Sequence, residues 1–416
     1  MIRRFSLYGF LKNQQYFEPF LILYLRDLGL SFTMIGVLIG YREVLVNLFE
    51  VPSGVVADLW GRRRSMVTGW FSYIISFVLF ALAPRGSVGL VVLFAAITFF
   101  AGGEAFRTGT HKAMIFTWLR LEGRTSERTK VYGLTRSWAK AGSALSVIIA
   151  GVLVFVTGGY RYIWWLCLAP YVANMFNLAT YPKELDGEVA DGGMSVKKLF
   201  VELWRSIRLI LRHRPLRGLF AESLGFDGLF TTTKDYIQPI VRQAALTLPL
   251  FALLEGEQRV AVLVSAAYLL IYLIGFFAAR NAHRIETWSG GDVQGARRVW
   301  LGNLVTFGAL LVLLVFEQYV WAIVVYLVAH LLHNIWRPLM LSRYDEHTPS
   351  ERQATVLSVD AQAKSAFAMV FAPIIGFSVD HFGLWPLGLI GVVVSMAGWL
   401  WSRRGGQGSA LSGETA

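Results

Sequence analysis

The chain has 416 residues, 55% of them hydrophobic, 14% aromatic and 16% charged, with a formal net charge of +12. Average soluble domains carry about 25% charged residues, and a soluble fold this apolar would expose large sticky patches. Composition therefore excludes an ordinary soluble domain, and the single cysteine, Cys167, excludes an intramolecular disulfide.

A helix needs roughly 20 mostly apolar residues to cross a bilayer. Read in chain order, the sequence offers twelve such segments. The basic start, Met1–Arg4, runs straight into the first, with no small-residue cleavage site, so it reads as a span rather than a removed signal peptide. The first six are Phe5–Leu25, Met34–Ala57, Ser65–Ala83, Val88–Leu119, Tyr132–Thr157 and Tyr160–Tyr181. The last six are Leu216–Val241, Arg259–Ala282, Val299–Phe316, Val320–Leu341, Ala354–Val379 and Leu384–Trp401. The expected fold is an all-α polytopic membrane protein with twelve transmembrane helices in two six-helix repeats. Its domains would be a bundle over 1–181, a cytoplasmic linker over 182–215, a second bundle over 216–402 and a flexible tail over 403–416. Leu199, Leu203, Ile207 and Leu211 recur at helical spacing among basic residues, which predicts an amphipathic helix over Val196–Arg212 at the membrane surface.

Lys and Arg in short loops mark the cytoplasmic side. With both termini cytoplasmic, twenty-five of the 39 basic residues fall on that side, and five (Arg26, Arg85, Arg161, Arg242 and Arg259) on the other. Topology thus accounts for the net charge without a nucleic-acid partner. A multi-pass protein of the cell (inner) membrane is expected, with lipids as neighbours and the monomer as the working unit.

Between spans two and three the sequence reads Gly54-Val55-Val56-Ala57-Asp58-Leu59-Trp60-Gly61-Arg62-Arg63-Arg64, preceded by Glu50-Val51-Pro52-Ser53. This resembles the G-x-x-x-D-x-x-G-R-[RK] signature of the major facilitator superfamily. Physically, Gly54 would let helices approach closely, Gly61 would permit a tight turn, and Asp58 could complement the dipole at another helix's start. The resemblance implies that this helix is span eleven, beginning near Ala354, and that Gly54, Asp58, Gly61 and Arg62 form a conformational latch. It also implies that spans one, four, seven and ten line a central cavity. Arg107-Thr108-Gly109 departs from the superfamily's span-four antiporter spacing, so antiport is not implied.

Ionisable residues at membrane depth are expensive and usually face a cavity or a partner. Glu104 and Arg107 share a face of span four at i and i+3. Span seven carries Asp227, with Lys234 and Asp235 beyond it, and span ten carries His330, His333, Asn334 and Arg337. Spans five and eleven add Arg136, Lys140, Asp360 and Lys364. Span one adds Asn13, Tyr16 and Glu18-Pro19, where the proline would open the helix locally. Asn13, Tyr16, Arg107, Lys140, His333 and Arg337 form the expected substrate-binding set, because guanidinium forks suit carboxylates and phosphates. Glu104 and Asp227 are the expected proton-coupling residues, since buried carboxylates can titrate near neutral pH. A closed structural pair is the equal alternative for Glu104 and Arg107.

The expected function is secondary active transport of a small organic solute by alternating access, proton-coupled, with an organic anion preferred. No cofactor, metal or catalytic residue is expected. Efflux of amphipathic drugs or cations through Glu18, Glu104 or Asp227 is the competing transport reading. A non-transporting membrane sensor is another class. So is a membrane-embedded enzyme, for which His330 and His333 with Asp360 would be the hint.

Overall fold

In the computed structural model the described residues are 1–186, 208, 214–247, 254–281, 291–348 and 353–405. Every regular element among them is helical. The helices are α1 (Ile2–Lys12), α2 (Leu21–Asp27), α3 (Phe32–Trp60), α4 (Arg62–Leu82), α5 (Ser87–Arg107), α6 (Thr110–Leu121), α7 (Arg128–Thr157) and α8 (Tyr162–Ala179). They continue with α9 (Arg214–Thr233), α10 (Ile237–Thr247), α11 (Gly256–Arg280), α12 (Asp292–Val315), α13 (Tyr319–His347), α14 (Gln353–Phe382) and α15 (Pro386–Gly405). Among the described residues, eight helices are long and apolar enough to cross a membrane. The order of helices follows the expected spans. The linker helix predicted over Val196–Arg212, apart from position 208, and the tail beyond 405 lie outside the described residues.

Three spans expected as single helices are broken. Span one stops at Lys12, leaves helical geometry and resumes through a short 3₁₀ turn, Glu18–Phe20, into α2. Pro19 explains the break, having no N–H to continue an i→i−4 ladder. Asn13 consolidates it by donating its side-chain amide to the Gly9 carbonyl at 2.7 Å. Span seven breaks likewise at Lys234–Tyr236, between α9 and α10. Span four breaks after Arg107, where Gly109 takes φ +77°, a region that costs an L side chain energy. Breaks at corresponding places in two repeats are a physical pointer to a transport site, because they free backbone groups inside the protein.

The chain forms two compact units. The first comprises Met1–Leu30, Tyr41–Leu199 and Phe251–Leu269. Its core is aromatic: Trp164 lies stacked between Phe17 and Phe80 at 5.0 and 4.1 Å, and Tyr171 packs on Trp70, Tyr73 and Phe77. At one end Arg85 reaches Asp27 and Arg161 reaches the Ala83 carbonyl. At the other, Arg4 donates to the Asn177 and Thr180 carbonyls, and Arg63 to that of Tyr181.

The second unit comprises Ser31–Gly40, Phe200–Leu250 and Leu270–Ala416. Here Phe226 stacks on Trp336 at 4.3 Å, and Trp300 meets both rings edge-on. Helix α15 approaches α12 closely, since Cβ atoms at Gly391 and Gly398 would overlap the Phe307 and Trp300 rings. The start of α3 is fastened to α14 in this unit. The Asp380 carboxylate accepts hydrogen bonds from the Phe32 and Thr33 backbone amides at 2.9 and 2.7 Å, and from the Thr33 hydroxyl at 2.7 Å. These satisfy amides that a helix start leaves unpaired. A Cβ at Gly376 would come within 2.1 Å of the Phe32 carbonyl oxygen, so only glycine fits there.

Candidate functional site

The loop between α3 and α4 is built as a turn with an internal cap. Gly61 has φ +90° and stands immediately before α4. Asp186 accepts from the Arg63 amide at 2.6 Å, capping α4. Arg62 donates to the Thr117 hydroxyl at 2.9 Å. Gly54 departs from expectation. It is exposed, and no atom lies within 4 Å of where its Cβ would stand, so it mediates no close helix approach among the described residues. The Asp58 side chain and the side chains that open α14, including that of Ala354, lie outside the described residues.

In the first unit, Glu104 and Arg107 close on each other as an ion pair near the break in span four. Arg107 also donates to the Tyr73 hydroxyl at 3.2 Å. Its fork is therefore committed to protein partners, which corrects its placement as a freely available substrate anchor. Tyr8 stacks on His111 at 3.6 Å beside this pair. Asn13, at the break in span one, engages both ends of its amide, accepting from Ser143 Oγ at 3.4 Å. Tyr16 is 6% exposed and packs in the core. Lys140 is exposed and has no hydrogen-bond or ion-pair partner among the described residues.

In the second unit, side chains from α9, α13 and α14 meet. Lys364 Nζ stands 2.5 Å from Asp227 Oδ2 and 2.6 Å from Asp360 Oδ2, a single ammonium shared by two carboxylates. The Tyr344 hydroxyl donates to Asp360 Oδ1 at 2.9 Å. His333 Nε2 lies 3.3 Å from Asp227 Oδ1, an oxygen that is buried and otherwise without a hydrogen bond. Phe230 lies flat against the His333 ring at 3.8 Å and fixes its plane. Beneath the cluster, Arg343 forks onto Glu222 at 2.8 and 3.1 Å, both side chains being buried.

The sequence put Asp227 on span seven and His333 on span ten with different roles; the structure brings the two together and adds partners that were not foreseen. Lys364 and Asp360 sit at i and i+4 on α14, so their own contact was legible. Their meeting with Asp227 is tertiary. Arg343 was expected in a loop. Because α13 continues to His347, it is instead an interior residue. The pairing of His330 and His333 with Asp360 is likewise corrected: His330 Nδ1 faces the Tyr326 carbonyl at 3.0 Å, and His333 faces Asp227. Arg337 is exposed, with no hydrogen-bond partner among the described residues. Lys234 and Asp235 bind each other at the break in span seven, at 2.8 Å.

Comparison with known proteins agrees with the loop motif. The family profile of the Major Facilitator Superfamily matches residues 12–363. The chain belongs to the major facilitator superfamily, and it is an all-α, multi-pass membrane protein. An MFS-type transporter of Bacillus subtilis (strain 168), YxaM, is 31% identical over 77 residues, covering 18% of this chain and 19% of its own length. A major facilitator superfamily domain-containing protein 6-like of Danio rerio is 41% identical over 51 residues, covering 12% of this chain and 9% of its own. The chain thus aligns with under a fifth of either relative's length. A mutant of the nucleoside transporter NupG superposes with a TM-score of 0.78 at 12% identity, covering 97% of this chain and 99% of that one. A POT family transporter in complex with a thioalcohol-conjugated peptide superposes with a TM-score of 0.67 at 15% identity, covering 97% and 94%. At such identities the likeness shows the fold.

Proposed function

We propose that this protein is a proton-coupled secondary transporter of a small organic solute, with organic anions preferred. The shared ammonium carries the reading. With His333 neutral, Asp227 and Asp360 against Lys364 leave the cluster one negative charge in excess. One proton, on His333 or on a carboxylate, balances it. Charge imbalance in a low-dielectric interior is costly, which makes this cluster the candidate for proton coupling. Proton uptake there changes how tightly α9, α13 and α14 are held together. Such a coupling between a proton and helix positions is the means by which a proton gradient would bias alternating access.

The anion preference rests on the acids being already engaged. Glu104 is bound to Arg107 and Asp227 to Lys364. A cationic drug held by either acid would have to displace a built-in counter-charge. The nucleoside and peptide transporters of similar fold are consistent with a small polar solute.

The test is uptake into proteoliposomes of a panel of labelled organic anions, with and without an inward proton gradient. Accumulation is expected only with the gradient. Asp227→Asn is expected to abolish accumulation while leaving solute exchange intact. Accumulation that ignores the gradient, in the native protein, would refute proton coupling.

A further inference from the structure

Three cations of the first unit have no acid paired with them among the described residues. Lys12 ends α1 at the break in span one. Its ammonium has no hydrogen-bond or ion-pair partner among the described residues, and the same holds for Arg136 and Lys140 on α7. Arg136 meets only the face of Tyr132, at 5.7 Å. These groups lie within electrostatic range of one another. Lys12 feels Arg107, Glu104, Arg136 and Glu18, and Lys140 feels Arg136 and Glu18. Four cations (Lys12, Arg107, Arg136, Lys140) therefore stand against two acids (Glu104, Glu18), an excess of two positive charges.

Geometry brings them to one surface. Helix α7 packs on α1 where Gly142 faces the Phe10 carbonyl, and the Gln14 amide donates to the Gly142 carbonyl at 3.2 Å. Just beyond, Ser143 Oγ reaches Asn13. The exposed apolar residues of α7, Leu134, Trp138, Leu145 and Val152, mark the face turned to lipid. At 100° per residue, Arg136, Lys140 and Ser143 fall on the opposite face. Arg136 and Lys140 are exposed on that face, and Lys12 stands within electrostatic range of Arg136. The C-terminal dipole of α1 offsets the charge of Lys12 in part, but it does nothing for Arg136 and Lys140.

We infer that the first unit holds a doubly charged anion, a dicarboxylate or a phosphate monoester, between Lys12 on α1 and Arg136 and Lys140 on α7. Asn13 and Ser143 provide neutral polar contacts at its edge. This deepens the proposed transport reading, on which it rests, by naming the substrate class and moving its anchor from Arg107 to these three residues.

The experiment is calorimetric titration of the full chain in nanodiscs of zwitterionic lipid with succinate, phenyl phosphate, acetate and glucose. The two dianions are expected to bind, and acetate about tenfold or more weaker, the value of one charge-assisted hydrogen bond. Lys12→Gln, Arg136→Gln and Lys140→Gln should each weaken dianion binding by about tenfold or more. Arg85→Gln, in an exterior loop, should not. Size-exclusion profiles and thermal unfolding check that each variant is folded. Dianion binding unchanged in all three variants, or no preference for dianions over acetate, overturns the inference. Abolition of solute binding by added phosphatidylglycerol also overturns it, by making a lipid headgroup the occupant. Proteoliposome flux separates the two readings. Proton-driven accumulation of only uncharged solutes or monoanions sinks the dianion site and leaves transport standing. Dianion binding with the expected sensitivity, but without any flux, supports the site and sinks the transport reading.

Discussion

Arg107 illustrates how one residue's role turns on its neighbours. Its guanidinium is held by Glu104 and by the Tyr73 hydroxyl. Removing it leaves a carboxylate inside the bundle without its counter-charge, and breaking a buried pair costs more than deleting both members. Arg107→Ala is expected to destabilise the protein by about 3 kcal/mol, seen as a lower unfolding temperature in detergent. The Glu104→Gln/Arg107→Gln double variant should recover much of that loss. A single variant as stable as the native protein would instead return Arg107 to the substrate site. Lys364 is the contrasting case. Lys364→Met would leave Asp227 and Asp360 facing each other with no cation between them, forcing the cluster to keep a proton. Proton-driven accumulation should then fail, while exchange of solute across proteoliposomes continues.

At the scale of elements, the breaks in spans one, four and seven matter more than the intact helices. Each places polar or charged groups at a helix end: Lys12 and Asn13, Arg107 and Thr108, Lys234 and Asp235. The break in span one was legible in Glu18-Pro19, because proline opposes a helix by its own covalent structure; the break in span four, at Gly109, was not expected. The break in span seven has no such local mark at Lys234–Tyr236. Pro239, in the first turn of α10, is compatible with a fresh helix start there. The cap on α3 is a second element-scale device. Asp380→Ala would leave the Phe32 and Thr33 amides without their acceptor. A cost of about 1 kcal/mol is expected, as for other helix N-caps, measurable as reduced thermal stability. Asp380→Asn should recover part of it, because asparagine also caps.

For the molecule as a whole, the units do not follow the midpoint of the chain. Helix α3 is shared, its start belonging to the second unit and the remainder to the first. Helix α11 is shared in the opposite sense, with Leu269 closing the part in the first unit. Local glycines serve this arrangement. Gly36 and Gly376 admit backbone of α14 and α3 respectively, and Gly151 admits Ser265. The packing role of these glycines was not legible in the sequence, because a glycine's use is set by what approaches it.

Apolar segments and asymmetric charges are properties of short stretches, and they act through the bilayer whatever the tertiary structure. From them alone came the all-helical membrane fold, the order of its helices and, through Gly54–Arg64, the family. A single proline, Pro19, likewise announced the break in span one. Which charges meet is a different matter, since a side chain's partner lies on another helix whose rotation and depth the local sequence does not encode. Only the tertiary structure could commit Arg107 to Tyr73, bring Arg343 indoors onto Glu222, and set one ammonium, Lys364, between two carboxylates from different helices. It also left Lys12, Arg136 and Lys140 without acid partners among the described residues, on two helices that pack together.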